Sequence, residues 1–116
     1  MQLNAVERFA LCMLFNGPDA VSASVRMQLE VLDVVDRKNT GVDFFTTILL
    51  TAALPSGTRR QWDWNFEHRR LSHGGSFMCW LEEPRVLEFE AVVYNGDWPD
   101  GFDPDDFSPT DVRRTV

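Results

Sequence analysis

The sequence predicts a single α+β domain, with two N-terminal helices packed on one face of a four- to five-stranded, mainly antiparallel sheet and an irregular acidic C-terminal arm. Three observations lead there. Apolar residues recur at helical spacing over the first fifteen positions, whereas from residue 42 onward β-branched and aromatic residues dominate. Turn chemistry (Asn-Thr-Gly, Pro-Ser-Gly, Gly-Gly, Glu-Pro-Arg) divides that second part into short runs. The chain has 116 residues, 44% of them hydrophobic, with nine Phe and four Trp, which is enough to build one core.

Leu3 to Phe15 carries apolar side chains at 3, 6, 10, 11, 13 and 14, a helical stripe, and Asn16-Gly17-Pro18 stops it. Asp19 is placed to cap a second helix from about residue 20. Its far end is ambiguous. Val25, Met27, Leu29 and Val31 alternate as a strand would, while Val21, Val25, Leu29 and Leu32 fit a helix equally well. The helix is set to end at about Glu30, with a strand through Arg37.

Lys38 to Gly41 reads as a turn into a strand from Val42 to Thr51, and Pro55-Ser56-Gly57 marks the next turn. Trp62 to Leu71 is a weaker extended segment that His73-Gly74-Gly75 is expected to break, with Ser76 to Leu81 resuming. Glu82 to Arg85 connects to Val86–Tyr94, where Leu87, Phe89, Ala91 and Val93 share one face and Glu88 and Glu90 the other, as in a half-buried antiparallel strand. After Tyr94, Pro99, Pro104 and Pro109 exclude a regular element, although Trp98, Phe102 and Phe107 can pin the arm to the domain. The expected domain is 1–107, with a frayed acidic tail over 108–116.

The formal charge is −7, and residues 95–116 contribute six Asp against two Arg, a net −4 that leaves −3 on the first 94. An acidic chain of this kind repels phosphates, so nucleic acid is not expected as a partner. Apolar stretches fall far short of the ~20 residues that span a bilayer, and the first residues do not read as a secretory leader, so a membrane role is not expected. Cys12 and Cys79 sit in apolar runs. A disulfide between them is open, but two buried thiols in a reducing cytoplasm is the simpler reading.

Thr40-Gly41-Val42-Asp43-Phe44-Phe45-Thr46-Thr47, preceded by Val35-Asp36-Arg37, resembles a family of small uncharacterised bacterial proteins, as does the Gly75–Trp98 region with its Tyr94-Asn95-Gly96-Asp97-Trp98-Pro99 ending. The likeness covers roughly residues 20–100, and Asp43 departs from it, standing where a small residue is expected. The resemblance implies a bacterial origin and an α+β fold, with no activity, substrate or cofactor attached.

Five constellations carry candidate chemistry. His68, His73 and Cys79, with Asp63 and Glu67 upstream, lack the paired spacing that brings metal ligands together. A Cys79–histidine nucleophile pair needs an exposed thiolate, yet Phe77, Met78, Trp80 and Leu81 surround the cysteine. Glu88 and Glu90 sit ~7 Å apart by strand geometry, a separation glycosidases use, but paired acids on a wet strand face are ordinary. Trp62, Trp64 and Phe66, beside Arg59 and Arg60, form a face that reads as core more readily than as a ligand groove. The acids of the arm miss the calcium-loop spacing.

The expectation is therefore a protein with no cofactor and no metal. It is read as a cytoplasmic, non-catalytic binding module of immunity or inhibitory type for a basic protein. Trp98, Phe102 and Phe107 would be anchors, and Asp100, Asp103, Asp105 and Asp106 would steer the encounter. Two alternatives stand beside it: a small enzyme acting on a small molecule or carbohydrate through Glu88 and Glu90, and an oligomer-forming module that adds strands at an exposed Val42–Thr51 edge.

Overall fold

A computed structural model describes residues 1–41, 43–55 and 59–110. Val42, Ser56, Gly57, Thr58 and the tail from residue 111 lie outside the described residues. Helix α1 (Ala5–Leu14) opens on a capping box in which the Asn4 side chain accepts from the Glu7 amide and the Glu7 carboxylate accepts from the Asn4 amide. Helix α2 (Ala20–Gln28) is capped by Asp19, which accepts from the Ser22 amide. The ambiguous stretch divides as a helix followed by a strand.

Six strands follow: β1 (Asp33–Asn39), β2 (Asp43–Leu49), β3 (Gln61–His68), β4 (Leu71–Glu83), β5 (Val86–Val93) and β6 (Phe107–Pro109). They form one antiparallel sheet in the order β1-β2-β5-β4-β3-β6. The architecture is a β1–β2 hairpin docked through β2 onto β5 of a β3–β4–β5 meander. The expected α+β class holds, but the strand count is six where four or five were expected. The sixth is the short β6, which the prolines of the arm concealed. Pro109 is tolerated because it ends an edge strand that pairs on one side only.

Gly74 and Gly75 do not break the chain. They lie inside β4, where Phe66 pairs with Gly75 while His68 pairs with Leu71, so extra residues on β4 form a bulge. Gly74 takes φ +66°, and a Cβ there would collide with the Phe66 carbonyl oxygen; a Cβ on Gly75 would strike the Val92 carbonyl oxygen and the Phe66 ring. The bulge needs both glycines. Nor is β2 an edge: it pairs with β1 and β5, so Phe44–Leu49, within the expected Val42–Thr51 strand, offers no free ladder for strand addition.

The core lies between the sheet and α1, α2 and the arm, built on Leu11, Phe15, Val25, Ile48, Phe66, Phe77 and Phe89, all under 2% exposed. The molecule measures 38 × 37 × 21 Å. Layers pack ~10 Å apart, so the short dimension holds a sheet and one covering layer. The opposite sheet face is open.

Candidate functional site

The arm turns its aromatic residues inward. Trp98 stacks on Phe77 (centroids 6.2 Å, planes 7° apart), lies 5.5 Å from Phe44, and its indole N–H donates to the Ala91 carbonyl at 3.4 Å. Phe107 sits 4.9 Å from both Phe66 and Phe9, and Phe102 5.6 Å from Phe9. These three rings close the part of the core that the helices leave bare. The acids divide among other tasks. Asp103 caps the 3₁₀ turn Pro104–Asp106 by accepting from the Asp105 amide. Asp106 lies 3.6–3.9 Å from Arg70, Arg69 and His68. Asp100 accepts from Arg70 through its backbone carbonyl, leaving its carboxylate exposed, and Asp105 is exposed. The arm therefore does not bring aromatic anchors and carboxylates together on one exterior patch.

The histidine–cysteine set does not converge either. Cys79 is fully buried opposite Trp62, and burial, aided by Glu88, raises its thiol far above the usual range. His68 lies six residues further along β3, ~20 Å away by strand rise. Burial lowers the His68 pKa, with Asp106 opposing the shift, and its Nδ1 accepts from the Arg70 amide at 3.1 Å. His73 is exposed in the bulge, its Nδ1 3.0 Å from the Ser72 hydroxyl. Among the described residues no group of three or more His, Cys, Asp and Glu side chains is placed to hold a metal ion. Trp62 and Phe66 are core residues, and Arg59 lies over the Trp62 ring at 5.8 Å.

The open sheet face gathers what the arm does not. Strand alternation and register place Phe45, Thr47 and Leu49 of β2, Glu88, Glu90 and Val92 of β5, and Met78 and Trp80 of β4 on it. Asp63 follows on β3, and Asp36 and Lys38 on β1. Large apolar side chains, half-buried against one another, are thus interleaved with the carboxylates Asp33, Asp36, Asp43, Asp63, Glu88 and Glu90, with Lys38 among them and Arg60 at the rim. Asp33 pairs with the Met1 amino group at 2.6 Å, and among the described residues none of the other five carboxylates makes an ion pair. Glu88 accepts from the Thr47 hydroxyl at 3.0 Å. Glu90 is held above the usual carboxylate range by partial burial, by the neighbouring charge of Asp43 and by a hydrogen bond with it. Glu90 borders a shallow depression with Trp80, Met78 and Arg60, whereas Glu88 lies outside it. The two glutamates stand on a flat face, not in a closed cleft.

Against known protein families, curated proteins and solved structures, the chain matches none.

Phe45, Met78 and Trp80 are the site residues that sequence reasoning missed. The signal was present: Phe44-Phe45 and Cys79-Trp80-Leu81 put bulky apolar groups at successive positions, so strand geometry must turn one of each neighbouring pair away from the core.

Proposed function

We propose that the protein is a non-catalytic binding module that docks a basic protein on its open sheet face, acting as an immunity-type or otherwise inhibitory partner. The observation that carries the reading is the face itself, with six carboxylates against Lys38 and the rim residue Arg60 around Phe45, Met78, Trp80 and Val92. Partly buried aromatic and Met side chains supply the desolvated anchors of an interface, and the rim of charge sets partner sign and encounter rate. A second copy of the chain is a poor occupant, because stacking this face on itself opposes like charges. A cationic side chain docked beside Asp43 and Glu90 would relieve their repulsion, so binding releases a proton when Glu90 starts protonated. Nucleic acid is disfavoured by the overall charge of −7.

No helix among the described residues is long and apolar enough to cross a membrane. Both cysteines are unpaired, which fits a reducing cytoplasm.

The test is affinity capture from native extract at low and high salt. The baits are the wild-type chain, a sheet-face variant (Trp80→Ser, Glu88→Lys, Glu90→Lys) and an arm variant (Asp100→Asn, Asp105→Asn). The expected result is a basic protein retained by the wild-type and arm-variant baits at low salt, weakened at high salt, and lost by the sheet-face variant. Loss on the arm variant alone would refute the placement, and no salt-sensitive partner at all would refute the reading.

A further inference from the structure

The core side of the molecule holds a cavity of about 150 Å³ between the start of α1, the β1–β2 end of the sheet and the arm. Its walls are the rings of Phe44, Trp98, Phe102 and Phe107. An apolar cavity of about this volume accommodates a benzene-sized ring. The walls alone would take any small apolar body, so the polar groups at the rim decide the chemistry.

Every polar side chain lining the cavity presents a donor. Asn4 uses its oxygen to accept from the Glu7 amide at 2.8 Å, which leaves its NH₂. Asn39 uses its oxygen on the Gly41 amide at 2.8 Å, leaving its NH₂ likewise. Arg37 spends Nε and one terminal nitrogen on Glu7, at 2.7 and 2.6 Å, and its other terminal nitrogen meets only the Met1 sulfur at 3.8 Å. His68 accepts at Nδ1 from the Arg70 amide, so in the neutral ring the proton is on Nε2, which lies 3.9 Å from the Asp106 carboxylate, and the cavity's free donors are those of Asn4, Asn39 and Arg37. Asn4 is also the N-cap of α1, which puts the positive end of that helix at the rim. A ring-sized apolar cavity whose rim side chains hold uncommitted N–H donors favours a ligand whose polar end accepts.

We propose that this cavity binds a small planar aromatic ring carrying a carbonyl oxygen, a benzoate- or benzamide-like group, with the ring among the aromatic walls and the oxygen at the donor rim. The site lies on the helix-covered side of the sheet and is independent of the docking face. A ligand here bridges α1, β1 and the arm, and so stabilises the arm against the core.

The experiment titrates ¹⁵N-labelled protein with benzoate, benzamide and benzylamine, reading amide shifts and saturation transfer to the ligand. Benzoate and benzamide are expected to move Asn39, Gly101 and Phe102 saturably, and a preference between them shows whether the acceptor is charged or neutral. Benzylamine, of similar size but bearing a cationic donor, is expected to leave those residues unmoved. The deciding variant is the pair Asn4→Asp and Asn39→Asp. Aspartate keeps the oxygen that caps α1 and the one that closes the β1–β2 turn, so circular dichroism melting stays near wild type while two donors become acceptors. Benzoate affinity should then fall about tenfold or more. Benzylamine binding as well as benzoate, unchanged benzoate affinity in the folded double variant, or no saturable shift with either carbonyl compound would overturn the assignment.

Discussion

Replacing Arg37 with Met tests what fastens α1 to the sheet. Glu7 is fully buried, and its carboxylate accepts from Arg37 at 2.7 and 2.6 Å, from the Thr46 hydroxyl at 2.6 Å and from the Asn4 amide at 2.8 Å. Burial by itself would raise the Glu7 pKa, but these hydrogen bonds outweigh it and hold the carboxyl below its usual range. Removing the guanidinium strips two charge-assisted bonds from a charge that water does not reach. Breaking a buried pair in this way costs about 3–5 kcal/mol. The Arg37 side chain is 27% exposed, so the lower end applies, about 3 kcal/mol. For a domain of this size that lowers the melting temperature by roughly 12 °C.

The pH dependence adds a sign. A carboxyl whose folded pKa is depressed contributes stability above its unfolded pKa and loses it as pH falls through the folded value. In the variant the stranded carboxyl is raised instead, so the gap between the two proteins should be widest near neutrality and narrow below about pH 4. The assay is urea unfolding followed by Trp fluorescence and far-ultraviolet circular dichroism, at neutral pH and in acid. The double variant Glu7→Leu, Arg37→Met should recover part of the loss, because no buried charge is left unpaired. A loss under about 1 kcal/mol at neutral pH, or a gap that does not narrow in acid, would refute the reasoning.

Gly74→Ala should cost at least about 2 kcal/mol in urea unfolding, since it combines a left-handed backbone with a collision at the Phe66 carbonyl. Trp98→Ala should cost about 2–3 kcal/mol and quench part of the native fluorescence, because the half-buried indole is stacked on Phe77. Glu90→Gln should stabilise at neutral pH by about 0.5 kcal/mol. A carboxyl raised in the folded state favours folding below its ordinary pKa and loses that contribution as pH rises through the raised value, so the gain should vanish in acid melts. Thiol titration of the native protein should leave Cys79 unreacted until denaturant is added, as burial keeps it protonated.

The parts legible in the sequence were those with local causes. Asn16-Gly17-Pro18 ended α1, Asp19 capped α2, and the alternation of Val86–Val93 gave a strand with one buried face. The failures came from pairings between distant segments. The bulge at Gly74-Gly75 reads as a break unless Phe66 and Val92 are known to pass beside it. Strand β6 contains Pro109 and exists because β3 offers it a ladder. The aromatic residues of the arm were recognised as pins and then counted again as partner anchors. Their packing against Phe9, Phe44, Phe66 and Phe77 accounts for the first role.

That packing follows from geometry. Six strands at about 4.8 Å spacing make a sheet roughly 24 Å wide, and helices of ten and nine residues extend only about 15 Å each. Two such helices cover only part of the core: Phe9 of α1 reaches Phe77, and the arm completes the cover over Phe44, Phe66 and Phe77 with Trp98 and Phe107 and packs Phe102 on Phe9. Once the arm is committed to that side, no described segment remains to cover the other. Phe45, Met78 and Trp80 then stand on an open face where, among the described residues, Asp36, Asp43, Asp63, Glu88 and Glu90 make no ion pair. Water tolerates such a surface, and its charge pattern is matched by a basic partner better than by a second copy of the same chain.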